Sequence, residues 1–245
     1  MFSSFRGAVR PIAFACLLLT ARGAWAHGDI TLFDAAGQVG VGLIDVGEGV
    51  FEPGERVFEA LLSPKLIASF PFDFDSDEPG FDVPDGALPA NEPIVLTVKS
   101  LTYWDGVGEP LFAPAAGTTF GFDTDPSFAT DADGGLHDHA LFGLNGAAPD
   151  GVYVGEFTAA VAGLEESDPV FMVMLKDALL TKSSLEDFEE ALEQYEEGGA
   201  EPVIGGKNFA FYEEAVESVE ASLVPEPASF VLVTFAFLAS CFRRR

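Results

Sequence analysis

The sequence predicts a mainly β fold, an antiparallel β-sandwich with one or two C-terminal helices. Three observations carry that expectation. Short apolar segments recur from Asp29 to Leu175 between clusters of Gly, Pro and Asp, the punctuation of short strands joined by turns. Almost no helical spacing interrupts that region. After it the pattern changes: Leu185, Phe188, Leu192 and Tyr195 recur at helical intervals with glutamates between them.

Asp29 to Phe33 and Val39 to Val46 read as paired strands across Asp34-Ala-Ala-Gly37. Gly40 and Gly42 in the second suggest a bulge or a close backbone approach. Arg56 to Leu62 and Lys65 to Phe70 follow the turn at Glu52-Pro53-Gly54-Glu55. Pro71 to Pro89, with four prolines and a crowd of aspartates, reads as loop. Ile94 to Trp104 is a clear strand, Ile94, Leu96 and Val98 facing one way and Thr97 and Lys99 the other. Thr118 to Phe122 is a shorter one.

Gly134 to Leu175 is the stretch around which the rest is arranged. Pro149-Asp150-Gly151 and Ser167-Asp168-Pro169 are turn chemistry and divide it into three expected strands. His137 and His139 stand at its head. On an extended strand they share one face, roughly 6.5–7 Å apart. Ser183-Ser184-Leu-Glu186 then reads as the capping box of a helix stopped by Gly198-Gly199. A second helix from Phe211 to Ala221 competes with a twisted edge strand. The first helix is expected to cover an open edge or end of the sheets.

Both ends carry processing signals. Arg6 and Arg10, the apolar run Ile12 to Thr20, and Ala24-Trp25-Ala26 have the order of a secretory signal peptide over residues 1–26. A body over 27–180 and a helical segment over 181–222 follow. At the far end, over 223–245, Pro225-Glu226-Pro227 precedes an apolar segment from Phe230 to Phe242 and then Arg243, Arg244 and Arg245. A terminal arginine cluster stays on the cytoplasmic side of a membrane. This order resembles the PEP-CTERM sorting signal. The resemblance implies an exosortase as processing partner, transient membrane anchoring and release to the cell envelope, surface or extracellular matrix.

Between the two ends stand six basic and 39 acidic residues, a net charge of −33. Nucleic acid and anionic membranes are excluded as partners by that charge, whereas cations are attracted. Cys16 and Cys241 both lie in the removable ends. The mature chain therefore uses no disulfide, thiolate metal site or cysteine nucleophile.

The three histidines, His27, His137 and His139, fall on two segments. Cleavage after Ala26 would give His27 a free α-amine beside its imidazole, two nitrogen donors on one residue. With His137 and His139 this makes a nitrogen-rich set for copper or zinc, with Asp29 or Asp138 as an oxygen donor or second-layer acceptor. The expectation is that the strand from Asp29 starts beside the strand carrying His139. His27-Gly-Asp-Ile, Glu78-Pro-Gly-Phe81, Thr102-Tyr-Trp104, His-Asp-His139, Asp-Gly-Val-Tyr153 and Ser-Asp-Pro169 together resemble a class of exported bacterial surface proteins. These pair His-x-Asp-Ile with a later His-x-His, and some are associated with metal-type ABC transporters. In place of the Asn-Trp-aromatic pattern usual after His-x-His, this chain has Ala140-Leu141-Phe142.

Asp73, Asp75 and Asp77, and separately Asp131 and Asp133, have the alternating carboxylates of weak calcium loops. Glu78 and Pro84 replace the Gly and Glu of an EF-hand. No nucleophile elbow, phosphate loop or dinucleotide fingerprint is present. The sequence therefore reads first as a non-enzymatic surface or matrix binding module, with exopolysaccharide or other envelope components as partners. A copper- or zinc-binding surface protein is the second reading and a polysaccharide-active enzyme the third.

Overall fold

A computed structural model describes residues 28–45, 50–65, 71–124, 128–196 and 198–223. The expected signal peptide, His27, the strand expected through 66–70 and the sorting tail from 224 onward lie outside the described residues. The fold is mainly β. Numbered along the chain, its strands are β1 (Asp29–Asp34), β2 (Val39–Asp45), β3 (Val50–Pro53), β4 (Val57–Pro64), β5 (Phe74–Ser76), β6 (Phe81–Val83) and β7 (Ile94–Trp104). Then come β8 (Ala113–Pro114), β9 (Thr118–Asp123), β10 (Leu136–Asp138), β11 (Leu141–Gly146), β12 (Gly151–Val161) and β13 (Val170–Lys176). Helix α1 (Lys182–Glu196) precedes a small hairpin of β14 (Val203–Ile204) and β15 (Lys207–Asn208), and helix α2 (Phe211–Leu223) ends the described chain.

Five strands form one sheet in the order β10-β6-β1-β2-β3. Eight form a second, β8-β7-β12-β13-β4-β5-β11-β9. Most neighbours are antiparallel, but β1 with β6 and β13 with β4 are parallel. The wholly antiparallel expectation is corrected at those two seams, where a long excursion of chain returns in the same direction.

Two apolar clusters explain the strand patterns. Ile30, Leu32, Val41 and Phe81 of the smaller sheet join Phe58, Phe142, Tyr153, Phe157 and Met172 of the larger in one. On the opposite face of the larger sheet, Val57, Leu61, Val173 and Leu175 meet Phe188 and Leu192 of α1 and Tyr212 and Val216 of α2. β13 is therefore covered on both faces, which is why Val170 to Leu175 is a continuous apolar run instead of an alternation. β7 keeps its alternation up to Lys99. There a bulge opposite Glu156 and Phe157 inserts one residue, leaving both Lys99 and Ser100 exposed.

Several local readings change. The stretch read as loop from Pro71 to Pro89 contains β5 and β6, strands of three residues whose alternation is too short to stand out among prolines. The first of the three expected strands in 134–175 is two: β10 and β11 part at His139 and Ala140 and join different sheets. Helix α1 begins earlier than Ser183. Thr181 occupies the cap, its N–H donating to Ser184 Oγ at 2.9 Å while its carbonyl accepts from the Ser184 N–H at 2.8 Å. At the other end, Gly199 N–H reaches the Gln194 carbonyl and Gly198 N–H that of Tyr195, with Gly198 at φ +86°. These satisfy the last carbonyls as the glycine pair suggested. The segment from Phe211 is a helix and not an edge strand. Its buried Tyr212, Ala215, Val216 and Val219 make one face. Gly42 is a close approach, since a Cβ there would stand 2.7 Å from the Glu52 carbonyl oxygen.

Tyr212 ties α2 to the large sheet. Its wholly buried hydroxyl accepts the Ala60 N–H at 3.1 Å and donates to the Val173 carbonyl at 2.9 Å. Changing Tyr212→Phe should cost about 1–3 kcal/mol, because buried backbone groups lose their partner. Urea denaturation reads this directly; an unchanged midpoint would contradict the anchoring role. Among the described residues no helix is long and apolar enough to cross a membrane.

Candidate metal centre

The strand of Asp29 is expected to start beside the strand carrying His139, but β6 lies between β1 and β10, and His139 stands just past the end of β10. The register shows how the site forms nonetheless. Thr31 pairs with Asp82, which pairs with His137; Ile30 pairs with Phe81, which pairs with Asp138. One step further the same register aligns Asp29, Gly80 and His139. Alternation gives Asp29, His139, Asp82 and His137 one face. The intervening row places Asp138 with the fully buried Ile30 and Phe81, on the other face. That is why Asp138 does not join the histidines.

Among the described residues one group of at least three histidine or carboxylate donors converges: Asp29, His137 and His139, each with a donor atom within 4.8 Å of the others. His137 Nδ1 stands 3.4 Å from Asp29 Oδ2 and 3.9 Å from Asp82 Oδ1. His139 Nδ1 lies 3.1 Å from the Asp77 carbonyl oxygen and 3.3 Å from Glu78 Oε1. The two rings meet edge to face with centroids 5.2 Å apart, closer than an ideal strand spacing because His139 stands just past the end of β10. Asp29 is largely covered, whereas both imidazoles reach solvent. An ion could therefore enter from one side and find an oxygen already ordered at the back.

Glu78, Asp82 and Gly80 are the participants that sequence reasoning missed. Their signal was faint: Glu-Pro-Gly-Phe-Asp looks like turn chemistry until its last two residues pair, with Val83, as a strand. Glu78 and Asp77 also line a cavity of about 320 Å³ beside the centre, with Glu59, Leu185 and Glu189 on its other walls. Its carboxylates extend the negative field around the histidines.

The titrating groups respond to this crowding. Burial pushes Glu78 up; the His139 charge pulls it down, and Asp29 and Asp77 push it up again. Burial likewise raises Asp82, against His137 and with Asp29. At His139 burial opposes the charged ring, but the Asp77 carbonyl and the Glu78, Asp29 and Asp77 carboxylates outweigh it, and the pKa rises above 6.5. Asp75 and Glu220 are raised first by burial, then by neighbouring acids, Lys65 and Lys182 partly offsetting this at Asp75.

All five shifts have the same consequence for the metal-free protein. Each group binds its proton more readily folded than unfolded, so stability falls as pH rises through the folded pKa values. The His139 contribution is complete below 6.5 and those of the four acids below their ordinary values of 3.8 and 4.5, and each is lost as the pH rises through the group's folded pKa. Thermal melting in a chelator should therefore be higher at about pH 5.5 than at pH 8. A melting temperature that climbs steadily toward pH 8 would contradict these assignments.

The acidic loops expected to take calcium are placed differently. Asp75 is buried within β5, opposite Ser63 and Gly143, while Asp73 accepts the Gly146 N–H at 3.1 Å. Asp77 sits in the turn beside His139. Asp131 Oδ1 accepts the N–H groups of Asp133 and Gly135, at 2.8 and 3.0 Å, so its carboxylate closes its own loop. These N–H groups, Gly135 first, hold the Asp131 carboxyl below its ordinary range.

Compared with known proteins, the chain matches no family model, no curated protein and no solved structure. The reading of its function therefore rests on the acidic, mainly β body and on this His-His-Asp group.

Proposed function

We propose that this is an exported, non-enzymatic surface or matrix protein whose bound ligand is one divalent transition-metal ion, zinc or copper. The observation that carries the reading is the convergence of Asp29, His137 and His139, drawn from segments more than 100 residues apart in sequence. Two imidazoles and one carboxylate suit zinc and copper, whereas calcium takes six to eight oxygens. In this reading the two sheets act as a sandwich and the C-terminal helices cover the outer face of the larger one. The sandwich gives the centre a rigid floor, and the net charge of −33 raises the local cation concentration.

His27 supplies the remaining donors. Cleavage after Ala26 would bring a free amine and a third imidazole to the same ion, and their attachment to one residue makes the chelate tighter than separate ligands. Export and processing are thus part of assembling the site. Intact-mass measurement of the exported product should show a chain beginning at His27 and lacking Phe230 to Arg245. A secreted chain that keeps its terminal arginines would remove exosortase from the account.

A further inference from the structure

We propose that Gly80 is the positioning residue of this centre, the gap through which Asp29 and His139 meet, and that it presents Asp29 through Oδ2 alone and His139 through Nε2. This inference rests on the metal-binding reading above and assigns the coordinating atoms.

Neighbouring strands lie 4.7–4.9 Å apart, so backbones two strands apart are separated by about 9–10 Å. Asp29 and His139 are two strands apart, with β6 between them. Their side chains can converge only if the residue in the middle of the row leaves its space open. Gly80 is that residue. A Cβ built on it would stand 2.8 Å from Asp29 Oδ1 and 3.0 Å from both Cε1 and Nδ1 of His139. The two functional side chains already fill the place a larger residue would take. Glycine is required here by space; its backbone is not in the left-handed region.

The backbone of the same turn orients both donors. Gly80 N–H donates to Asp29 Oδ1 at 3.0 Å, and the Gly80 carbonyl accepts from the Ile30 N–H at 2.9 Å. With Oδ1 held, Oδ2 faces His137 Nδ1 at 3.4 Å. Two donors bound at 2.0–2.1 Å to a tetrahedral ion are about 3.3–3.4 Å apart, so this pair is already at chelating separation. At His139 the Nδ1 faces the Asp77 carbonyl at 3.1 Å, and a carbonyl only accepts. Nδ1 therefore carries the hydrogen and Nε2 keeps its lone pair for the ion. A single carboxylate oxygen with imidazole nitrogens favours a zinc- or copper-like ion over calcium.

The test compares zinc titrations of the exported chain with those of its Gly80→Ala and Gly40→Ala variants, and adds imidazole nitrogen NMR of the zinc-loaded parent. Gly40 serves as control because a Cβ there would also clash, 2.6 Å from the Phe33 ring, in the same sheet but away from the donors. Gly80→Ala should weaken zinc binding about 10–100-fold, as loss of an orienting partner does. Gly40→Ala should lower the melting temperature and leave zinc affinity unchanged. NMR should show zinc on Nε2 of His139 with a hydrogen retained on Nδ1, a readout that stands even if Gly80→Ala fails to fold. Zinc on Nδ1, or parental affinity in Gly80→Ala, overturns the inference. A parent that binds no zinc overturns the metal-binding reading itself.

Discussion

Replacing Leu192 with Asp should unfold most of the protein at room temperature. Leu192 is wholly buried, in the cluster that α1 shares with α2 and the outer face of the large sheet. Truncating a core leucine costs about 2–5 kcal/mol through lost transfer energy and an unfilled cavity. A carboxylate adds the penalty of a charge without a designed partner. The sum approaches the 5–15 kcal/mol that holds a typical domain together. Far-UV circular dichroism of the parent should be β-dominated with a minor helical part, and in Leu192→Asp the cooperative transition should move to much lower urea or vanish. A variant that melts like the parent would mean α1 is not packed on the sheet.

The second large effect is on metal affinity. Removing both imidazoles in His137→Ala/His139→Ala should weaken zinc or copper binding more than about 1000-fold, well beyond the 10–100-fold typical of an orienting group. Their exposure makes the substitutions mild for folding, so a melting temperature near that of the parent is expected in chelator. One extra residue placed before His27 should weaken binding about 10–100-fold, because the amine is then spent in a peptide bond while the imidazoles remain. Equal affinity in parent, double variant and extended chain would show that the histidines do not share an ion.

Much of the β architecture is written in local pattern. Ile94 to Lys99 alternates and opens β7; the unbroken apolar run from Val170 marks a strand covered on both faces. The helical period of Leu185, Phe188 and Leu192 is equally local. β5 and β6 are not, because three residues hold too little alternation to be seen among prolines and aspartates. That one omission hides the logic of the site. The sequence brings forward Asp29, His137 and His139 by residue type, but their meeting depends on β6 entering between β1 and β10 in parallel with β1. Long-range pairing of this kind leaves no periodic trace. Asp138 could be assigned only when alternation was anchored by the buried Ile30 and Phe81. The calcium-like spacing of Asp73, Asp75 and Asp77 was likewise undone by the strand that buries the middle residue.

The most direct test of the central claim is the metal content of the protein recovered after export by its own host, dialysed without chelator and measured by elemental analysis. The account predicts close to one zinc or copper per chain, lost in His137→Ala/His139→Ala. Recovery of the parent with no stoichiometric transition metal, from cells supplied with both, would contradict it.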